Sequence, residues 1–245
     1  MKFKTAIAAA AVLAAGAAHA AIDSSNNADL FLAVFDTNNV ASYVLDLNTT
    51  IPSFNAASGN YSFSVDSAYS TFLATAGLDA STLRYGVYAV DNQGSKTVKD
   101  DIKLFSTATT GLSIAVKNNS ALGTGLANVV LNANNFNANT STVAVAGTSA
   151  YANPATFNEL SQALVNGATT SNALGTASDF YMFGVSNITG TKPADTVKLA
   201  GTWNFNGSVL SYTTATTPAV PEASTYAMLL AGLAAIGFVA RRRAV

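Results

Sequence analysis

The sequence predicts a mainly β, sandwich-like exported domain with two or three short helices inserted, bracketed by an N-terminal signal peptide and a C-terminal membrane helix. Three observations lead there. Runs rich in Val, Phe, Tyr and Thr recur between Asn/Asp/Gly turn signals through the middle of the chain. The N-terminus sets lysines before an alanine-rich stretch, and the C-terminus sets an apolar run before Arg241, Arg242 and Arg243. Four segments follow: a leader at 1–20, a β-rich domain at 21–212, a Thr/Pro/Ala spacer at 213–219 and a terminal segment at 220–245, with its membrane helix at 225–240.

In the leader, Lys2 and Lys4 precede an apolar stretch from Ala6 to Ala17, and Ala18-His19-Ala20 has the small-x-small form that signal peptidase cuts. Cleavage after Ala20 starts the exported chain at Ala21. Leu30 to Phe35 and Val40 to Leu47 are strand-forming runs joined by Asp36-Thr37-Asn38-Asn39, which predicts a hairpin. Alternation in 61–65 turns Tyr61, Phe63 and Val65 to one face. Asp66 or Ser67 caps a helix that Gly77 ends.

Strands across Tyr85 to Val90 and Ile102 to Ser106 flank the turn Asp91-Asn92-Gln93-Gly94. From Asn118 to Asn132, Leu122, Leu126, Val129 and Val130 recur at helical spacing. The Asn- and Thr-rich stretch from Leu131 to Thr148 reads as a surface loop, and Pro154 to Gly167 as a third helix. Strands near 180–188 and 196–201 lead to Trp203-Asn204-Phe205 and Val209-Leu210-Ser211-Tyr212. Asn206-Gly207 between them predicts a type I′ hairpin turn.

Composition excludes more than it assigns. The chain of 245 residues has no cysteine, and its one histidine, His19, lies in the leader. The exported part therefore lacks Ser-His-Asp and Cys-His nucleophile systems, histidine-ligated zinc and cysteine-ligated clusters. A net charge of −1, with no cluster of Lys and Arg in the body, excludes a nucleic-acid surface. No cofactor and no metal site is expected. The mean hydropathy of +0.29 owes much to the alanine-rich ends.

The C-terminal run from Tyr226 to Ala240 holds fifteen uncharged residues, about 22 Å as a helix at ~1.5 Å per residue. With Ser224 and Thr225 it marginally spans the bilayer. The arginines fix its far end on the cytoplasmic side, so the body lies outside the inner membrane. Pro221 removes a backbone donor and keeps Val220 extended, which leaves the chain ahead of the helix accessible.

Val220, Pro221, Glu222 and Ala223, the aromatic Tyr226, Leu229, Leu230 and Gly232 of the apolar run, then Gly237, Phe238 and Arg241 to Arg243 together resemble the PEP-CTERM sorting signal. The family usually has a second proline where this chain has Ala223. The resemblance implies handling by exosortase, a membrane-embedded processing enzyme of Gram-negative bacteria that make exopolysaccharide. Its expected partners are then that enzyme, signal peptidase and the exopolysaccharide. The expected course is export, transient anchoring in the inner membrane through the C-terminal helix, and delivery to the cell surface or extracellular matrix for a structural or adhesive role in a biofilm.

Two other functions have candidate residues. Trp203, Tyr212, Tyr85, Tyr88 and Tyr151 would form the stacking face of a surface-displayed carbohydrate-binding module. Asp36, Asp46, Asp66, Asp91, Asp100, Asp101 and Glu159 would supply the pair of carboxylates a polysaccharide hydrolase needs. Turn and cap chemistry is the competing explanation for these aspartates, and core packing for the aromatics, so no catalytic residue is assigned. Asp36 to Asn39 and Asp91 to Gly94 offer oxygen ligands, but neither continues into a calcium loop. Asp100 and Asp101, between Lys99 and Lys103, predict a charged sheet edge.

Overall fold

The computed structural model describes residues 21–38, 40–75, 79–94, 98–112, 114–138, 140–152, 164, 168–186, 194–214, 228, 231 and 233. The chain divides into a unit from Met1 to Thr214 and a unit from Ala215 to Val245. In the first unit, β1 (Asp29–Asp36), β2 (Ala41–Thr50) and β3 (Tyr61–Ser64) precede α1 (Ser67–Ala74); β4 (Leu83–Asp91) and β5 (Lys103–Thr109) precede α2 (Asn119–Ala133); then come β6 (Ser141–Val145), β7 (Asn172–Ala173), β8 (Ser178–Gly184), β9 (Asp195–Phe205) and β10 (Val209–Thr214).

Among the described residues, all ten strands belong to one sheet of order β3-β10-β9-β8-β5-β4-β1-β2-β6, with β7 beside the start of β4. Every pairing is antiparallel. This corrects the sandwich: the strands do not divide into two facing sheets. Instead the sheet curls, so that residues from distant strands meet on its concave side. Tyr43 of β2 and Phe205 of β9 both reach the ring of Tyr69 on α1, at 5.1 and 5.7 Å between centroids. Tyr85 of β4 also meets Phe205 across the interior, at 5.9 Å.

The reason lies in β1. Leu30, Leu32 and Val34 enter the concave core while Phe31, Ala33 and Phe35 are buried on the convex side. The outer face of a sandwich strand is polar, whereas a strand apolar on both faces must be covered on both. The convex cover is α2, whose Leu122, Leu126 and Val129 pack with Phe31, Tyr88 and Phe136 in one cluster. The periodicity read from the sequence thus gives both the helix and its buried stripe.

Asp66 caps α1 as expected, accepting from the Ala68 N–H at 3.0 Å. The same carboxylate accepts from the Tyr43 hydroxyl at 3.3 Å, which ties the start of the helix to β2. Tyr69 and Phe72 point into the concave core, and α1 lies against β2 and β6. The helix therefore occupies the concave side of the curl near one edge of the sheet.

Two local expectations change. The stretch from Leu131 to Thr148 is not all loop: it contains the edge strand β6, whose Ser141, Thr142, Val143, Ala144 and Val145 pair with β2. Its alternating Val and Ala side chains are a short strand pattern among Asn and Thr. The β9–β10 turn is built on Gly207 and Ser208, with Gly207 at φ +94 and Asn206 not in the left-handed region. The Asn206 side chain accepts from the Ser208 and Val209 N–H groups at 2.9 and 2.8 Å. Glycine at the first central position is the type II′ arrangement, which gives the same strand twist as type I′.

Opposite Phe180, β9 carries extra residues, and the register with β8 shifts between Asp179 and Tyr181. Gly201 sits in that stretch, where a Cβ would come within 2.5 Å of the Tyr212 ring. Its N–H donates to the Tyr212 hydroxyl at 2.8 Å. The expected helix at 154–167 lies outside the described residues except for Leu164, which is buried and bridges to Val116. The leader and the membrane helix also lie outside them, apart from Met228, Ala231 and Leu233, which are helical. Among the described residues no helix is long and apolar enough to cross a membrane.

Phe72 is fully buried and Leu73 is 36 % exposed. Phe72→Ala is expected to cost about 3–5 kcal/mol, and Leu73→Ala less than about 1 kcal/mol. The Tyr69 hydroxyl is buried without a hydrogen-bond partner among the described residues, so Tyr69→Phe is expected to be neutral or stabilising. Urea midpoints of the three variants check this ranking.

Candidate functional site

The aspartates are used locally. Asp36, fully buried, accepts from the Asn38 N–H at 3.1 Å and from the Thr82 hydroxyl at 2.6 Å, clamping the β1–β2 turn to the approach to β4. Asp46 accepts from the Asn48 N–H at 2.8 Å, where Asn48 adopts φ +48. Asp91 accepts from the Gln93 N–H at 3.2 Å. With its amide oriented to donate, Asn26 adds bonds to Asp91 and to the Gln93 carbonyl at 3.1 and 3.2 Å. These are the turn and cap roles that such residues favour. Glu159 lies outside the described residues.

The fold does gather some carboxylates at one end of the sheet, where β1 begins and β4 ends. Burial raises the pKa of Asp29, with Asp46 and Asp23 adding repulsion against a lowering backbone hydrogen bond. Burial likewise raises Asp91, where Asp101 and Asp23 act in the same direction and Lys103 opposes them. Asp23 and Asp29 were not candidates in the sequence, and no local motif marks them; their proximity to Asp46 and Asp91 follows from strand pairing. Among the described residues, no three acidic side chains are grouped so as to hold a metal ion. The Asp36 and Asp91 turns are hydrogen-bonded turns.

The pair Asp100-Asp101 does not guard a sheet edge. It precedes β5, which lies between β4 and β8 in the middle of the sheet. Asp100 instead takes φ +55, and its N–H donates to the Val185 carbonyl at 2.9 Å. Lys99 pairs with Asp195 at 3.1 Å. Lys198 reaches the buried Asp179 at 2.7 Å while its own side chain stays about half exposed, so the pair neutralises a carboxylate the sheet has buried.

The aromatic candidates do not form a binding face. Trp203, Tyr85 and Tyr88 are 0 % exposed, Tyr212 1 % and Tyr151 7 %. Trp203 stacks on Phe54 at 5.8 Å and meets the Tyr212 ring at 5.0 Å. The Tyr212 hydroxyl donates to the Ala56 carbonyl at 2.9 Å, and the Tyr85 hydroxyl donates to the Thr176 carbonyl at 2.6 Å. Burial pushes the Tyr85 hydroxyl up to about 12. Tyr85, Trp203 and Tyr212 fill the concave core and Tyr88 the convex one, where a sugar ring cannot stack on them.

The remaining candidates, Ala18 and Ala20 of the leader and Val220 to Arg243 of the tail, lie outside the described residues apart from Met228, Ala231 and Leu233. Met228 and Leu233 are 76 % and 59 % exposed. Residues 219–243 match the family described as the PEP-CTERM protein-sorting motif. No curated protein and no solved structure matches the chain.

The raised pKa of Asp91 fixes the sign of a pH effect. A carboxyl held above its unfolded value of about 3.9 contributes stability that is fully present below that value and is lost as pH rises through the folded value. Asp91→Asn keeps an acceptor for the Gln93 N–H and does not titrate. Its stability relative to wild type is expected to climb as pH rises from below about 4, read from paired urea midpoints. A difference independent of pH would contradict the assignment.

Proposed function

We propose that this chain, marked by its PEP-CTERM sorting motif as an exosortase-targeted surface protein, has a structural or adhesive role in the exopolysaccharide or biofilm matrix of a Gram-negative bacterium. The motif at 219–243 carries the reading. It implies export and membrane-anchored sorting toward the cell surface. Signal peptidase removes residues 1–20, the helix at 225–240 holds the chain in the inner membrane with Arg241 to Arg243 inside, and exosortase acts at or near Pro221-Glu222-Ala223.

A non-enzymatic body is supported by inventory and by placement. The full chain has no cysteine, and its only histidine is in the leader. Asp36, Asp46, Asp66 and Asp91 each accept hydrogen bonds from their own turn or helix start. A hydrolase would need two carboxylates free to face a glycosidic bond. Stacking through Trp203 and Tyr212 is not retained, because both are buried. What the body offers the matrix is a β scaffold whose β3, β10 and second half of β9 carry Ser, Thr and Asn without charge.

Pro221→Ala or Glu222→Ala is expected to leave the full-length chain in the inner membrane, seen as loss of surface protein and gain of the larger species in the membrane fraction. Variants that reach the surface in wild-type amount and size would contradict the sorting role of the motif.

A further inference from the structure

The two edges of the sheet are unequal. At β6, Asn137 reaches the edge strand: its amide donates to the Ser141 carbonyl at 3.4 Å and its N–H to the Thr142 hydroxyl at 2.9 Å. α1 also lies against β6. At β3, no strand among the described residues pairs with the outer side.

The backbone groups that face outward at β3 follow from the register. The Val65 N–H donates to the Ser208 carbonyl at 3.0 Å, in line with Ser64 opposite Val209 and Phe63 opposite Leu210. Hydrogen-bonded and non-hydrogen-bonded pairs alternate in an antiparallel ladder. Tyr61, Phe63 and Val65 therefore turn their N–H and C=O groups to β10, and Ser62 and Ser64 turn theirs away from it. β10 alternates in the complementary sense, since the Val209 carbonyl accepts from Asn206 on the β9 side at 3.2 Å.

Among the described residues, this edge lacks the usual guards. Exposed edges are ordinarily protected by lysine, proline, an inward charge or a covering loop. No charged residue lies between Asp46 and Asp66, nor between Lys198 and Glu222, so β3, its neighbour β10 and the second half of β9 are uncharged. The exposed side chains at the edge are those of Ser62 and Ser64, small enough to let another backbone approach.

We propose that β3 is a homotypic pairing edge through which two copies of this chain join antiparallel. The arrangement is self-complementary. With the two-fold axis at Phe63, Ser62 of each copy faces Ser64 of the other in hydrogen-bonded pairs, which satisfies all the outward groups of both. Phe63 then faces its own counterpart across the closer, non-hydrogen-bonded position. It is half-buried and stacked on Tyr61 at 6.3 Å, so pairing covers apolar surface that the monomer leaves partly open. An uncharged edge meets its copy without repulsion, and the contact joins two curled sheets into one. A contact made by four-residue strands is small and therefore weak. The pairing does not depend on the sorting reading, although anchoring to a surface would raise its occupancy.

The chain has no cysteine, so Ser62→Cys introduces one thiol. In the proposed pair the two thiols lie about 8 Å apart, two residues along the strands and one strand spacing across. Full-length Ser62→Cys, purified in detergent and treated with a bis-maleimide of that span, is expected to give a cross-linked dimer. Adding Ser64→Pro, which removes an outward donor without touching the β10 ladder, or Ser64→Lys, which adds the missing guard, is expected to lower dimer yield about tenfold. Ser211→Lys, on the same outer face but one strand inward, is expected to leave the yield unchanged. The proposal is overturned by absence of the dimer, or by dimer at undiminished yield in both Ser64 variants.

Discussion

The fold depends on how the concave side of a single antiparallel sheet is filled. Tyr69 and Phe72 of α1 enter a core to which β1, β2, β4, β5, β8, β9 and β10 all contribute. Such a curl closes only if aromatic volume fills it, and Tyr85, Trp203, Phe205, Phe180 and Tyr212 supply that volume. Asp66 anchors the helix by serving both as its N-cap and as the acceptor for the Tyr43 hydroxyl. The sheet, its edges and its exposed face take their positions from this packing.

The same demand explains what the body does not present to solvent. The five aromatics that were candidates to stack on sugar, Trp203, Tyr212, Tyr85, Tyr88 and Tyr151, are all buried, and the Tyr88 hydroxyl donates to the Thr170 carbonyl at 3.2 Å. The aspartates hold turns. On β3, β10 and the Gly201–Phe205 half of β9, the polar residues left at least partly exposed are Ser, Thr and Asn without charge.

Much of this was legible in the residues. Strand-forming runs between turn signals located most of the strands, the spacing of Leu122, Leu126 and Val129 located α2, and the choice of Asp66 or Ser67 as cap located the start of α1. The sorting motif was legible because its parts are local: a proline before an apolar run of fixed reach, closed by arginines. The curl was not, because a strand buried on both faces reads as an apolar run whichever architecture covers it; Leu30 to Phe35 held the clue in having no polar face. β6 was hidden by Asn-rich surroundings, and the assembly of Asp23, Asp29, Asp46 and Asp91 at one end by the long sequence separations that strand pairing bridges. The exposed role read into Trp203 and Tyr212 failed because residue type alone does not say which face of a strand is concave.

In the proposed course of sorting the tail is a temporary anchor. This is tested most directly by intact mass and C-terminal sequencing of the protein recovered outside the cell. The account predicts a chain that begins at Ala21 and ends near the Pro221-Glu222 motif. Recovery of extracellular molecules that still end in Arg241-Arg242-Arg243-Ala244-Val245 would contradict it.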